Sequence, residues 1–465
     1  MPQKKNNSKQ TKVSAERNGG KPQNAYFLSL ELENVRCFSE RQRIDFSDGN
    51  DKLRQWTIIL GDNGTGKTTI LQSIVALLPM RCYEAGVDTA VVPNFWKSSF
   101  WKYIRNKQTK QKNSKLSYIG CSFGLSDSLK EFFLSKVKIE RDFHILENYN
   151  DEKVKGEVSI IEIIIPFRSV CFAYGGARGE GNAPLDYIFD EESHYASIFD
   201  EENLIRPDEW LLQADYAASK ESKFQAKAKA RLQKIKEVLL KVLPETYDIR
   251  FTQTSEKLTP VVKFHTPYGW VESKDLSLGY RTSMAWTVDF ASRMFDLYPE
   301  SENPLAEPAV VLIDEIDLHL HPKWQRELVD YLTNLFPNTQ FIVTTHSPLI
   351  VQAAAARDAN IVVCRREGDH VVIDQSIEAV RNWRTDQILT SDLFDLPTAR
   401  PKKIEPFLEE RQEILSKAKL TKKDEKRLAE LEDKIGFMPV SENPEDDKAM
   451  DIIRRAAERL QSEAK

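Results

Sequence analysis

The 465-residue sequence predicts an α/β fold with a mixed central sheet, an inserted α+β region and a helical C-terminal region. Three observations carry this. Gln55 to Leu60 ends in an apolar, β-branched run, Gly61 to Thr69 is glycine-rich, and Ile70, Leu71, Ile74, Leu77 and Leu78 then recur at the spacing of one helix face. Val310 to Ile313 is apolar at every position and ends in two carboxylates, Asp314 and Glu315, as a strand covered on both faces would. From Lys274 onward helix and strand patterns alternate, as crossover connections require.

In chain order, residues 1–25 are rich in Lys, Gln, Asn, Ser and Gly, with too few apolar side chains to bury, and are expected to be a disordered basic tail. Residues 26–83 form the first part of a phosphate-binding lobe. Phe27 to Asn34 alternates apolar and polar residues, and Arg43 to Phe46 reads as its antiparallel partner. Residues 84–270 form the inserted region, expected to be irregular from Glu84 to Ser159. Within it, Asn94 to Lys115 combines aromatics such as Trp96 and Trp101 with lysines and Arg105, without an acidic residue. A nucleic-acid surface is conceivable there, but the favoured reading is a helix with a buried aromatic face and a solvated basic loop, since charge runs are usually solvated faces. Val158 to Pro166 and Ser169 to Tyr174 read as strands, and Asp186 to Asp208 is acidic and aromatic. Ala217 to Val242 reads as a Lys-rich amphipathic helix with Leu232, Ile235, Val238, Leu239 and Val242 on one face.

Residues 271–375 complete the lobe, ending in short strands at Asn360–Cys364 and His370–Ile373. Residues 376–465 form the helical, charged C-terminal region, where Thr421-Lys-Lys-Asp424 resembles a helix-start box ahead of Leu428, Leu431 and Ile435. The apolar content of 41% supports a packed core, and no apolar stretch reaches membrane-spanning length. A net charge of −5 excludes a wholly basic nucleic-acid binder and confines any such role to local patches. Five cysteines without C-x-x-C spacing argue against a zinc site or a disulfide framework. With no apolar leader, they fit a cytoplasmic protein.

Gly61-Asp62-Asn63-Gly64-Thr65-Gly66-Lys67-Thr68-Thr69 matches the phosphate-binding pattern Gly-x-x-x-x-Gly-Lys-Ser/Thr, between a strand and a helix. Glycines such as Gly61, Gly64 and Gly66 let backbone N–H groups approach phosphate oxygens, and Asn63 and Thr69 sit in the same cradle. Lys67 suits the β/γ phosphates of ATP, and the Thr68 hydroxyl suits Mg²⁺. Asp314, at a strand end, suits the same Mg²⁺, mostly through water, and Glu315 suits a general base for attacking water. Leu276-Ser277-Leu278-Gly279-Tyr280-Arg281 precedes an amphipathic helix. Ser277 and the Gly279 N–H could form an anion site there, although alone they read as an ordinary Ser cap. His346, closing the strand Phe341 to Thr345, suits a γ-phosphate contact or a structural hydrogen bond.

The order of these motifs resembles that of ABC-type ATPases. With Asn34-Val-Arg36-Cys-Phe38, Asp314 to Pro322 and Thr345-His346-Ser-Pro348, the chain is similar to the RecF/Rad50/SMC-related branch. More narrowly it resembles the compact prokaryotic ATPases of anti-phage defence, the PtuA family of Septu systems among them. The resemblance spans Phe27 to Ala353 and implies an ABC-type P-loop NTPase head. It also implies a homodimer or higher homo-oligomer, with ATP held between Lys67, Thr68, Asp314, Glu315 and His346 of one copy and Ser277 and Gly279 of another. One P-loop and one signature per chain agree with a symmetric pair. Leu278 stands where transporters carry Gly, and His321 where an Asp is usual. His319 and His321 read as a dimer-contact loop. No glutamine marks the lobe switch, for which Arg178 is the stand-in.

The resulting expectation is an ATP hydrolase that senses or regulates a separately encoded effector, a nuclease among the candidates, since the sequence carries no nuclease motif of its own. A DNA-binding repair or recombination ATPase is the alternative, with DNA at 94–115 and the Lys-rich helix. A transporter subunit and a scaffold with little turnover are further ones. No membrane partner is expected.

Overall fold

A computed structural model describes residues 23–48, 53–76, 78, 80–84, 87–91, 117–128, 131–143, 167–168, 170–176, 198–199, 204–253, 259–375, 380–396, 398–417 and 421–435. The basic tail to residue 22, the 94–115 stretch, the Val158–Pro166 strand, Leu77, Arg178 and residues 436–465 lie outside the described residues. The described residues fall into two compact units, one within Met1–Ile388 and Asp392–Phe394, the other within Leu389–Ser391 and Asp395–Lys465.

The first unit is α/β. β1 (Gln23–Glu33) pairs antiparallel with β2 (Gln42–Asp45), with Leu30 opposite Ile44, as the alternating pattern predicts. β3 (Trp56–Gly61) runs into the glycine-rich loop, and α1 (Lys67–Ala76) follows. A hairpin, β4 (Met80–Glu84) and β5 (Val87–Val91), precedes two long strands, β6 (Ser117–Ser128) and β7 (Glu131–Phe143). β6 and β7 extend the β2-β1 sheet, and β8 (Phe167–Arg168) pairs with β1. These strands correct the expectation of an irregular 84–159. Val137-Lys-Ile-Glu140 carries the period-2 signal of a half-buried strand, and the pairing of β6 with β1 and β7 supplies the long-range hydrogen bonds.

β9 (Cys171–Tyr174) follows, then helices α2 (Pro207–Ser219) and α3 (Gln225–Val242). The single helix expected from Ala217 is two helices, because the chain breaks over 220–224. The expected apolar face of α3, Leu232, Ile235, Val238, Leu239 and Val242, is buried. β10 (Asp248–Gln253), β11 (Pro260–Thr266) and β12 (Gly269–Glu272) make an antiparallel sheet. The 20-residue α4 (Leu278–Leu297) leads to β13 (Ala309–Ile313), α5 (Pro322–Leu335), β14 (Thr339–Thr344), α6 (Pro348–Ala355), β15 (Asn360–Glu367) and β16 (His370–Asp374).

The central sheet has the order β16-β15-β3-β14-β13-β9, parallel from β15 to β9, with β16 antiparallel at its edge. Alternate residues of its strands enter two cores. Trp56, Ile58, Val311, Ile313, Phe341 and Val343 face one that holds side chains of α4, α5 and α6. Ile59, Val310, Leu312 and Ile342 face the other, with Ile70, Leu71 and Ile74 of α1 and Leu30 and Ile44 of the second sheet. Burial on both sides explains why β13 is apolar throughout and why Ile58 to Leu60 of β3 and Phe341 to Val343 of β14 are continuous apolar runs, each such side chain contributing about 2 kcal/mol. The parallel strands β3, β14 and β13 end at one edge of the sheet, where α/β folds place ligands. Among the described residues no helix is long and apolar enough to cross a membrane.

The second unit contains α7 (Glu405–Leu415) and α8 (Lys422–Ile435), packed through Ile414, Leu431 and Ile435 with Phe407, Leu408 and Leu428. The helix-start box is present. Asp424 N–H donates to Thr421 Oγ1 at 3.3 Å, and Thr421 N–H donates to Asp424 Oδ2 at 3.0 Å. Arg427 spans the pair, donating to both carboxylate oxygens of Glu410 at 2.7 and 2.8 Å.

Candidate functional site

The glycine-rich loop turns through positive φ at Gly61, Gly64 and Gly66 (144°, 81° and 85°), which a side chain would strain. Gly66 is also crowded. A Cβ there would lie 2.5 Å from Cys37 Sγ and 2.9 Å from the Phe38 ring, so the Asn34–Phe38 turn abuts the loop. From the same turn, Arg36 (φ 50°) donates from Nη1 to Thr69 Oγ1 at 3.3 Å. Asp62, Asn63 and Gly64 are exposed at the tip of the loop, where backbone N–H groups meet solvent.

Lys67 is buried, its ammonium donating to the carbonyls of Gly61 at 2.8 Å and Asp62 at 2.9 Å. Burial lowers its pKa, while Cys364 and the carboxylates of Asp314, Glu315 and Asp62 act the other way. Thr68 Oγ1 donates to Asp314 Oδ2 at 2.6 Å. Thr344 Oγ1 donates to Asp314 Oδ1 at 2.6 Å and accepts the Glu315 N–H at 2.7 Å. The Asp314 N–H is held by the Tyr174 carbonyl at 2.8 Å. Lys67, Thr68, Asp314 and Glu315, far apart in sequence, are thus brought to one place. Glu315 has φ 50°, an uncommon conformation for a non-glycine residue, and its carboxyl carbon lies 3.4 Å from where a Cβ of Gly176 would stand.

The segment after Glu315 is tied to the end of β14. Thr345 Oγ1 donates to Asp317 Oδ1, and the His346 N–H reaches the same oxygen at 3.4 Å. The His346 side chain is exposed at the sheet edge. Ser347 caps α6, accepting from Leu349 and Ile350 at 3.2 and 3.4 Å, and donates to Gln325 at 2.6 Å.

Ser277 and Gly279 open α4 elsewhere. Ser277 occupies the N-cap position, but its exposed side chain makes no capping hydrogen bond, unlike the ordinary Ser cap. Gly279 is buried, and a Cβ on it would lie 2.2 Å from the carbonyl oxygen of His319. His319 itself has φ 61°. Gly279 is therefore seated on the loop that follows Glu315 in its own chain. His321 accepts the Lys323 N–H at 3.2 Å and caps α5.

Among the described residues no group of three or more His, Cys, Asp or Glu is placed to hold a metal alone. A hydroxyl and a carboxylate 2.6 Å apart are hard oxygen donors that fit Mg²⁺ arriving with a nucleotide. Sequence reasoning missed Thr344, Tyr174 and the contact of Arg36 with Thr69. No local signal marks Thr344, which closes a strand that also opens on the polar Thr339 and Gln340.

Two family models match: "AAA domain" over residues 29–246, and "AAA domain, putative AbiEii toxin, Type IV TA system" over residues 189–352. The chain is 50% identical over 88 residues to the retron Vc95 probable ATPase of Vibrio cholerae serotype O1 biovar El Tor, covering 19% of this chain and 17% of that one. It is 25% identical over 411 residues to the Septu protein PtuA of Bacillus mycoides (strain KBAB4), covering 88% of this chain and 50% of that one. Half or less of each of these curated relatives is spanned. Among solved structures, the SmcHead bound to the C-winged helix domain of ScpA aligns with TM-score 0.42 and 18% identity, over 75% of this chain and 97% of that one. The chain thus resembles the Septu protein PtuA and a retron probable ATPase.

Proposed function

We propose that this chain is an ABC-type ATPase that binds ATP with Mg²⁺ and hydrolyses it at sites completed by a second copy. In an anti-phage system it would regulate a separately encoded effector, for which a nuclease is the expected partner. The observation that carries the ATPase reading is the hydrogen-bonded series Thr68–Asp314–Thr344–Glu315 beside the buried Lys67. The glycine loop and the N-terminus of α1 offer N–H groups to phosphate oxygens. Lys67 would exchange its two carbonyl partners for the β/γ phosphates. Mg²⁺ bound at Thr68 and Asp314 would neutralise charge that builds on those phosphates. Glu315, held by the Thr344 clamp, would take the proton of the attacking water, and His346 would face the γ-phosphate from the end of β14. Ser277 and the N–H groups opening α4 would meet that phosphate from the second copy. The resemblance to PtuA and to a retron ATPase supports the defence setting.

The test is steady-state phosphate release from purified protein with ATP and Mg²⁺. Turnover that disappears in Lys67→Ala and Glu315→Gln is expected. No turnover in the wild type, or equal turnover in all three, overturns the reading. The effector is tested by co-purification with the product of the adjacent gene.

A further inference from the structure

A buried polar cluster lies behind the site. Tyr174 closes β9, while Asp289 and Arg293 are one turn apart on α4, and the three are 1%, 1% and 2% exposed. The Tyr174 hydroxyl donates to Asp289 Oδ2 at 2.9 Å, and Arg293 Nε donates to the same oxygen at 2.8 Å. Asp289 Oδ1 accepts the Ile205 N–H at 3.4 Å. Aromatic rings surround the cluster: Trp286 is 5.9 Å from Tyr174, and Phe172 packs edge-on against Phe290 at 5.0 Å.

Removing a carboxylate, a guanidinium and a phenol from water is costly, and apolar residues of similar volume would hold helix to strand at least as firmly. What the cluster adds is direction. A carboxylate gripped by a phenol from one element and a guanidinium from the other admits one rotation of α4 against β9. Tyr174 is also joined to the site through its main chain. Its carbonyl accepts the Asp314 N–H at 2.8 Å, and Gly176, two residues on, abuts the Glu315 carboxyl. α4 is the helix that Ser277 and Gly279 open.

We propose that Tyr174, bonded to the Asp289 carboxylate that Arg293 also holds, is a positioning residue that couples the signature end of α4 to Asp314 and Glu315 of the same chain. Engagement of Ser277 with nucleotide on a second copy would then set the hydrolytic carboxylates of the first. This rests on the paired-site ATPase reading above.

The experiment measures ATP affinity, kcat and the Hill coefficient for ATP in wild type, Tyr174→Phe and the apolar triple variant Tyr174→Phe/Asp289→Leu/Arg293→Met. In Tyr174→Phe the Asp289–Arg293 pair persists, so the fold survives. Loss of one hydrogen bond to a charged group should lower kcat about tenfold, with ATP affinity unchanged and the Hill coefficient falling towards 1. The triple variant should remain folded, its melting point lowered by no more than the loss of the one long hydrogen bond from the Ile205 N–H, yet hydrolyse as slowly as Tyr174→Phe. A purely structural cluster gives the opposite pattern, with wild-type kcat and ATP dependence in whichever variant is folded, and that overturns the proposal alone. An inactive wild type overturns the ATPase reading, and this proposal with it.

Discussion

At the P-loop end of the first unit, Lys67 is 7% exposed with two carbonyl partners, and Asp314 is gripped from both sides by threonine hydroxyls at 2.6 Å. At the signature end, Ser277 is exposed without a capping bond, and Leu278 beside it is 44% exposed. Both ends are helix N-termini following a polar turn, so both offer unpaired N–H groups to an anion. They differ in what surrounds them. The P-loop end carries a cation, a hydroxyl and carboxylates gathered by hydrogen bonds, whereas the signature end brings N–H groups and the Ser277 hydroxyl, with Arg281 the one charged side chain of the first turn of α4. An anion held firmly at the first end and only completed by the second is the arrangement expected of a site shared between copies.

The comparison breaks most readily at Lys67. Lys67→Ala should weaken ATP binding about 100-fold, the worth of charge-assisted hydrogen bonds to phosphate, as read by titration with a fluorescent nucleotide. Glu315→Gln should lower turnover by about 100-fold or more, as loss of a general base does, while ATP binding persists and an ATP-dependent oligomer accumulates on a sizing column. Gly279→Ala sharpens the other side. Its Cβ would meet the His319 carbonyl at 2.2 Å, so the 315–321 loop must shift. Hydrolysis should fall and ATP-driven assembly weaken, with ATP binding to the separate chain retained.

Thr344→Val tests the clamp. It removes the hydroxyl that holds Asp314 and the Glu315 N–H, and Mg²⁺-dependent hydrolysis should fall about tenfold, with metal-free nucleotide binding unchanged. The smallest effect belongs to the second unit. Hydrogen bonds from Lys417 and from the Thr421 hydroxyl and N–H hold the Asp424 carboxyl below the usual carboxylate range. With the folded pKa depressed, its contribution is complete at neutral pH and is lost as pH falls through that range towards the folded value. Acidification should therefore reduce the helical circular-dichroism signal of wild type more than that of Asp424→Asn. Hydrolysis at neutral pH should be equal in both.

The sequence made the P-loop, the Asp314-Glu315 strand and the α3 face legible because each is local: a turn needing glycine, a strand covered on both sides, a helix with one apolar face. β6 and β7 were missed because β6 finds its partner β1 some hundred positions upstream, β7 in turn pairs only with β6, and period-2 patterning broken by Gly120 and Gly124 is a weak local signal. Thr344 and Tyr174 act through hydrogen bonds to residues 30 and 115 positions away, and nothing local marks a threonine or tyrosine at a strand end for that work. The seating of Gly279 on His319 was equally hidden. A glycine needed for close approach reads like a glycine needed for a turn.

Whether two copies complete one site is decided by mixing. Lys67→Ala spoils the P-loop half and Ser277→Arg the signature half, so each variant alone should be inactive. In a mixed pair both defects fall in one site and the other site is intact. Equal mixing should restore phosphate release to at most about a quarter of wild type, since half of the pairs are mixed and each carries one of two sites, and to less than that where the Ser277→Arg chain's carboxylates depend on its own signature. A mixture no more active than its two components would contradict a site shared between copies.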